Sequence, residues 1–314
     1  SHPDLISAKE KVKESRQDKN ITRADILPQL SSQASATTRR ATSGEESDSY
    51  AYGITGQQLV FDGFKTPVDI MAASRTITAQ EYNYAVVSSN IRLDLRSAFV
   101  TLLRAQELIA LTEEIAERRK QNLELIQLRH DAGREHMGAL LTAEADLAQA
   151  TFEVAQAKRN LVLAQQRLVK ELGRVNGAFP VAVDGTFDID EAEIEKPDLE
   201  TLATSTPFLR ELIAQKEAAR LGYISAQADL FPKVYLNGTI GRSAGEWPPE
   251  DKEWSAGVSL TFPLFEGGSN IAQIAKKRSQ MKQAEADERS GHDSVMVTWN
   301  RRGRISRTAK RRWR

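Results

Sequence analysis

Two stretches of the chain, separated by 204 positions, carry the same proline and glycine residues in the same order. The matched pairs are Pro3 and Pro207, Leu5 and Leu209, Gly53 and Gly257, Phe61 and Phe265, and Gly63 and Gly267, and the segment Ala24-Asp25-Ile26-Leu27-Pro28 matches Ala228-Asp229-Leu230-Phe231-Pro232. Because proline and glycine are tied to particular backbone angles, their shared spacing indicates shared turns. The sequence therefore predicts an internal two-fold repeat, which constrains the fold more than any local motif does.

Composition narrows the class of protein. Only 6% of the 314 residues are aromatic, which is few for two compact cores, so elongated helices are favoured. The 43 basic and 43 acidic residues balance, so no net field attracts nucleic acid, and the absence of cysteine excludes disulfides and Cys-ligated metals. No apolar run reaches the roughly 18 to 20 residues of a membrane-spanning helix, which excludes a helical membrane protein but not a strand-based one.

Each half of the sequence contains a predicted β-hairpin after a leading helix. The leading helices cover 1–29 and 206–231, and the hairpins cover 30–62 and 232–265. Apolar residues alternate with small or polar ones in both hairpins, which is typical of strands. The apolar face comprises Tyr50, Tyr52 and Ile54 in the first hairpin and Trp254, Ala256, Val258, Leu260 and Phe262 in the second. The polar stretches 38–49 and 243–252 are predicted to be exposed loops, and Asp62 and Glu266 to cap the helices that follow.

Two interpretations of these hairpins remain open from the alternation alone. Strands of about ten residues with one apolar and one polar face suit a transmembrane barrel with lipid outside and water inside. They equally suit an antiparallel sheet that covers a soluble core with one face. Four strands cannot close a barrel, since at least eight are usually needed. A membrane location therefore requires an oligomer.

A long antiparallel coiled-coil hairpin is predicted over 63–175, with its tip near 131–138. Its return helix carries a seam of residues spaced by three and four: Leu140, Ala143, Leu147, Ala150, Val154, Ala157, Leu161, Ala164 and Leu168. The partner seam is Leu95, Ala98, Leu102, Ala105, Ile109, Thr112, Ala116, Leu123 and Ile126, interrupted by Arg119. An irregular linker over 176–205 and the start of a second long helix over 266–297 complete the mainly α fold.

Residues that could carry chemistry are sparse. His130 and His136 flank the tip beside Asp131 and Glu135, but a spacing of six across a turn is not the geometry of a helical metal site. No catalytic residue, metal or cofactor is predicted, and the protein is not expected to be an enzyme. The segment 298–314 is strongly basic and lacks the repeat's helical pattern, so an atypical end is favoured over a nucleic-acid-binding arm.

The chain resembles the TolC family of bacterial outer-membrane efflux and type I secretion proteins over residues 2 to 297. The resemblance rests on the paired Pro-x-Leu starts, the Leu-Pro and Phe-Pro before the strands, the Phe-(Asp/Glu)-Gly strand exits, Arg129-His130-Asp131-Ala132-Gly133 and Leu141-Thr142-Ala143-Glu144-Ala145-Asp146-Leu147. It implies a homotrimer whose copies each contribute four strands to a twelve-stranded transmembrane β-barrel, continued by an α-helical tunnel through the periplasm. It further implies that Ala132, Gly133 and Arg134 dock a periplasmic adaptor, which links the channel to an inner-membrane transporter.

The resemblance implies a passive exit duct in the outer membrane, in contact with outer-membrane lipid, for small molecules or proteins. Compared with the family, the chain is expected to be truncated, because a second helical hairpin should follow residue 297, and it departs from the usual tip at Gly138 and Ala139. The alternative is a soluble periplasmic coiled-coil scaffold or adaptor without a barrel. A third hypothesis, a nucleic-acid binder with a basic tail, predicts salt-sensitive binding, and none is expected.

Overall fold

The computed structural model describes residues 2–40, 42, 44, 46–174, 182–185 and 203–312, with side chains described to residue 298. The main elements in chain order are α1 (Pro3–Ala24), β1 (Gln29–Arg40), β2 (Glu46–Phe61), α2 (Lys65–Asp131), α3 (Met137–Glu171), α4 (Pro207–Ala228), β3 (Lys233–Ala244), β4 (Asp251–Thr261) and α5 (Ser269–Arg312). The predicted class, mainly helical with β-hairpins, is confirmed. Across the described stretches, no helix is both long enough and apolar enough to cross a membrane.

The chain divides into two compact units. One comprises Ser1–Ser7 and Val86–Glu195, and the other comprises Ala8–Ala85 and Lys196–Arg314. The helical hairpin of α2 and α3 belongs to the first unit from Val86 onward. The four strands belong to the second unit together with most of α1, the beginning of α2, and helices α4 and α5.

The helical hairpin is held by the predicted seam. In α3, six of the nine predicted seam residues are buried, namely Leu140, Ala143, Ala150, Ala157, Ala164 and Leu168, and the other three, Leu147, Val154 and Leu161, are partly buried. Ala98 and Leu102 of α2 are fully buried and form one cluster with Ala164 and Leu168 of α3. Small alanines at most contact positions let the two helix backbones approach closely. Arg119, which interrupts the partner seam, pairs with Asp146 across the helices at 2.8 Å.

The four strands form one antiparallel sheet in the order β1-β2-β3-β4. The strands of the first hairpin are longer than predicted, because β1 reaches Arg40 and β2 starts at Glu46, whereas residues 38–49 were expected to be a loop. Thr38 pairs with Asp48 and donates a 2.7 Å hydrogen bond to its carboxylate. Arg40 forms a 3.0 Å ion pair with Glu46. These cross-strand polar contacts stabilise a strand end whose composition alone suggests a turn.

The strands of the second hairpin also extend into the segment that was expected to be a loop. β3 continues to Ala244 and β4 begins at Asp251, so the strands take both ends of the segment 243–252 that was expected to be a loop. β4 ends at Thr261, which leaves Phe262 immediately after the strand rather than within it.

Corresponding elements of the two halves begin at the same spacing. α4, β3 and α5 start at Pro207, Lys233 and Ser269, each 204 positions after the first residue of α1, β1 and α2. The turns before α2 and α5 also share an uncommon backbone. Gly63 and Phe64 have φ of 70° and 65°, and residues 267 and 268, both glycines, have φ of 62° and 83°.

The turn before α2 is tightly packed. Asp62 is buried, and its carboxylate accepts hydrogen bonds from the backbone amide of Thr66, at 2.8 Å, and from the Thr66 hydroxyl, at 2.5 Å, which confirms the predicted helix cap. Lys65 forms a 2.6 Å ion pair with Asp229 at the end of α4. A Cβ atom added at Gly63 would lie only 2.5 Å from Cβ of Phe231. The turn therefore has no room for a side chain at position 63.

We expect Gly63→Ala to destabilise the protein more than Gly133→Ala. Both positions have positive φ, which costs a residue with a Cβ about 1–2 kcal/mol, but an added Cβ at Gly133 has no neighbour within 4 Å. Overpacking against Phe231 should add about 1–3 kcal/mol at position 63 alone. Urea unfolding followed by circular dichroism measures the difference. Equal losses of stability for the two variants would contradict the packing argument.

Glu211 of α4 makes the stability of the second unit pH-dependent. Burial raises the pKa of the Glu211 carboxyl above its ordinary 4.5, and hydrogen bonds from Asn83, at 3.2 Å, and Gln215, at 3.0 Å, oppose this rise. The folded state therefore binds the proton more tightly than the unfolded state does. This stabilising contribution is present below the ordinary carboxyl pKa and is lost as the pH rises through the folded-state pKa.

We expect the melting temperature of the unmodified protein, relative to that of Glu211→Gln, to rise as the pH is lowered from neutrality toward the ordinary carboxyl pKa. The glutamine removes the titration while keeping a hydrogen-bonding side chain between Asn83 and Gln215. Thermal unfolding at several pH values measures the effect, and Glu14→Gln, on the exposed surface of α1, is the control. A gap between the unmodified protein and Glu211→Gln that is the same at every pH would refute the assignment.

Candidate functional sites

The first candidate site is the apolar face of the sheet, which we call face A. Its residues fall on one side because directly paired residues of antiparallel strands point the same way. The register aligns Ile54 with Ile240, and Ile240 with Trp254, in one row across three strands. Neighbouring rows add Tyr50, Tyr52, Leu236, Ala256, Val258 and Leu260. The face predicted from alternation is therefore brought together as one surface, apart from Phe262, which lies just beyond β4.

Face A is strongly exposed in the single chain. Trp254 is 79% exposed, Val258 is 72% exposed and Ile240 is 64% exposed. Leu30, Leu236 and Ile240 also lie on this face, and the predicted apolar set drawn from β2 and β4 did not include them. The period-two pattern of β3 was the signal that could have added Leu236 and Ile240. A contiguous apolar surface of this kind marks contact with lipid or with another protein.

The opposite side of the sheet, face B, is polar. Asn237 donates a 2.8 Å hydrogen bond to the hydroxyl of Ser259, and the hydroxyls of Thr55 and Thr239 lie 3.5 Å apart. Ser243 donates a hydrogen bond to Glu253 at the far end of the same side. These groups satisfy one another across the strands and can also bind water. Face B is therefore suited to an aqueous environment.

Both borders of the sheet are open. β1 and β4 are the outer strands, and in the described part of the chain neither has a partner on its outer side. Strands of 12 and 11 residues with free backbone N–H and C=O groups are templates for pairing with another chain. Both edges of the sheet are thus available for pairing with a further strand.

The second candidate site is the turn between α2 and α3. Gly133 has φ of 71° and its amide donates to the carbonyl of His130, while the amide of Arg134 donates to the carbonyl of Arg129, both at 2.8 Å. These bonds close the end of α2 in the manner of a glycine-terminated helix. His136 then caps α3 by accepting a 3.0 Å bond from the amide of Ala139.

The side chains of this tip are available to a partner. Ala132, Gly133 and Arg134 are all exposed, and they are held by the capping bonds in a defined turn. Within the described ranges, no group of three or more His, Cys, Asp or Glu residues could hold a metal ion. These three residues therefore present a shaped backbone and one positive charge, that of Arg134.

The chain matches the sequence model of a protein family described as outer membrane efflux protein, over residues 1–174 and 199–298. The chain belongs to this family. An outer-membrane location follows from that membership, as the sequence predicted. The match ends near the start of the basic segment 298–314.

Individual relatives agree with the family assignment. The outer membrane efflux protein BepC of Brucella suis is 21% identical, and the alignment covers 89% of this chain and 62% of BepC. The outer membrane protein OprJ of Pseudomonas aeruginosa is 25% identical, with 88% of this chain and 60% of OprJ covered. The chain therefore spans about three fifths of the length of these curated relatives.

Solved structures agree on the fold. The chain superposes on the outer membrane channel CmeC of Campylobacter jejuni with a TM-score of 0.82 at 16% identity, covering 96% of this chain and 66% of CmeC. The chain thus shares the fold of this channel.

Proposed function

We propose that the chain is the outer-membrane exit duct of a tripartite efflux or type I secretion system, a passive conduit for small molecules or proteins. The observation that carries the proposal is the sheet, in which an exposed apolar face A, a polar face B and two open borders occur together in an efflux-family chain. A barrel wall in a membrane needs an apolar face toward lipid and a polar face toward water. Closing the barrel with further copies needs the two open borders. A soluble scaffold would leave face A in water.

Three copies of the chain complete the wall in this proposal. Each contributes four strands to a twelve-stranded barrel, with face A toward lipid and face B toward the lumen, and the long helices continue the lumen as an α-helical tunnel. The solved channels that share the fold support this arrangement. We further infer that the protomer arose by internal duplication, which the common spacing of 204 positions and the matching φ values of the two turns support.

The exposed tip at Ala132, Gly133 and Arg134 docks a periplasmic adaptor, which connects the duct to an inner-membrane transporter in this proposal. The transporter supplies the energy, since a water-filled conduit needs no chemistry of its own. We accordingly assign no catalytic residue and no cofactor to the chain. A photoreactive amino acid at position 134 should form adducts with the adaptor, whereas the same amino acid at Lys120 on the flank of α2 should form far fewer.

Fractionation of cells that express the full chain tests the proposed duct. We expect the protein in the outer-membrane fraction, extracted only by detergent, with a mass in detergent of three chains of 34.9 kDa each. Salt and alkaline washes should leave it in the membrane, because burial of face A in lipid does not depend on charge. Recovery of a monomer from the aqueous extract without detergent would instead favour the soluble scaffold.

A further inference from the structure

The two strand-to-helix turns share a backbone but differ in what packs on them. At the first turn, Phe231 from the end of α4 lies against Gly63, with an added Cβ placed 2.5 Å from Cβ and 3.0 Å from Cγ of that phenylalanine. At the second turn, the corresponding Gly267 has nothing within 4 Å of an added Cβ. We call the space beside the glycine of each turn its socket. The socket at Gly63 is filled by Phe231, and the socket at Gly267, in a turn with similar φ values, is empty.

The residue that would fill the second socket is present in the chain but faces solvent. Leu27 lies 204 positions before Phe231, just as Gly63 lies 204 positions before Gly267, so Leu27 and Gly267 form the corresponding pair. Leu27 is 58% exposed, and Leu264 and Phe265 beside the empty socket are each 86% exposed. Leu27 leads into β1 and Gly267 follows β4, which are the two open borders of the sheet.

The pairing of β2 with β3 supplies a register for those borders. By the repeat spacing, a residue of β2 that pairs with β3 corresponds to the residue 204 positions later, in or just after β4. A residue of β3 corresponds to the residue 204 positions earlier, in β1. The pairs Tyr50–Ala244, Ile54–Ile240 and Gly56–Gly238 become Trp254–Arg40, Val258–Ala36 and Leu260–Ala34. The first eight pairs, from Tyr50–Ala244 to Gln57–Asn237, move to positions within β4 and β1, so that Trp254 to Thr261 find partners from Arg40 to Gln33.

The side chains that this register brings together are complementary. On face A, the bulky Val258 and Leu260 lie opposite alanines at 36 and 34, which leaves room for both. Trp254 lies opposite Arg40, and a guanidinium next to an indole ring is a favourable cation–π pair. Cross-strand pairs of this kind are the unit of sheet stabilisation.

We propose that β4 of one copy pairs with β1 of a second copy in the register that places Val258 opposite Ala36, and that Leu27 of the second copy fills the socket at Gly267. The proposal rests on the proposed oligomer and specifies its interface. The occupant is another copy of this chain because the complementary border and the missing Leu27 are both parts of the same sequence.

Paired cysteines test the register directly, since the chain has no cysteine of its own. The test variant is Ala36→Cys with Val258→Cys, and the matched control is Ala34→Cys with Val258→Cys, which is displaced by two residues on the same face. Directly opposite Cβ atoms lie about 4.5–5.5 Å apart, whereas positions displaced by two lie about 7–8 Å apart, too far for a disulfide. A second in-register variant is Ala34→Cys with Leu260→Cys. It tests whether a cysteine at position 34, which is displaced from Val258 in the control, forms a disulfide with its own in-register partner.

Mild oxidation of membranes followed by non-reducing denaturing electrophoresis provides the readout. We expect both in-register pairs to give disulfide-linked oligomers that collapse to monomer on reduction, with at least about tenfold less product from the displaced pair, because its sulfurs cannot meet. Equal or greater linkage of the displaced pair would overturn the register while leaving the oligomer intact. An oligomer by mass that none of the pairs links would overturn the pairing of β1 with β4. A chain that remains monomeric would overturn the proposed duct as well.

The socket has its own matched pair of variants. Leu27→Ser removes the apolar side chain, whereas Leu27→Phe copies Phe231 of the first turn. We expect the oligomer of Leu27→Ser to dissociate at lower temperature in detergent, and that of Leu27→Phe to remain as stable as the unmodified protein. The same dissociation temperature for Leu27→Ser and the unmodified protein would show that the socket at Gly267 is not filled by Leu27.

Discussion

Replacing Val258 by arginine is expected to prevent stable insertion of the protein into the outer membrane. Val258 is 72% exposed in the middle of β4 on face A, where the proposed duct meets lipid. A lipid-facing arginine near the bilayer midplane costs about 2–4 kcal/mol for each copy, and each barrel would carry the change three times. The amount of oligomer extracted from outer membranes measures the effect.

Ser255→Arg is the matched control for this substitution. Ser255 lies on the same strand and pairs with Thr239 on the polar face B, which faces water in the proposed duct. The two variants therefore place the same side chain on opposite sides of one strand. We expect Ser255→Arg to yield near-normal amounts of oligomer. If the two arginines reduce the yield equally, face A does not face lipid.

Leu102→Ala should cause the largest loss of stability among single truncations in the helical hairpin. Leu102 is fully buried between α2 and α3, against Ala98, Ala164 and Leu168. Truncating a buried leucine removes its transfer free energy and leaves a cavity, at a cost of about 2–5 kcal/mol. The cavity would open beside Leu168, in a cluster against which Phe99 and Leu161 also pack. Urea unfolding monitored by the helical circular dichroism signal measures the loss.

Leu128→Ala provides the comparison in the same helix. Leu128 is 69% exposed near the end of α2, so its truncation should change stability by no more than about 0.5 kcal/mol. The contrast separates burial from helix propensity, because both variants replace leucine by alanine within α2. Losses of similar size at the two positions would show that the contact around Leu102 does not hold the helical hairpin together.

The helical elements follow closely from the sequence because their signals are local and repeated. The end of α1 at Ala24 precedes Pro28, and the seam of α3 contains an apolar residue at every third or fourth position over 29 residues. Face A was also predictable, since period-two alternation assigns each residue of a strand to one side. A one-residue error in register would have placed Val258 on the polar side.

Contacts between distant segments could not be predicted in the same way. The extension of β1 to Arg40 depends on Asp48 and Glu46 meeting Thr38 and Arg40 across the hairpin, and the segment's composition alone resembles a loop. Arg119 interrupts an apolar seam, and only its position opposite Asp146 explains how the seam accommodates it. The difference between the two turns depends on Phe231, which lies 168 positions from Gly63 in sequence.

The open borders of the sheet have a consequence for how the protein is made. Before a newly exported copy assembles with other copies, its apolar surface and the unpaired backbone groups of its two outer strands are exposed. Collision with any other extended segment competes with correct closure during that interval. When synthesis outruns assembly, the surplus should therefore accumulate as aggregate, and slowing production should increase the amount of finished protein.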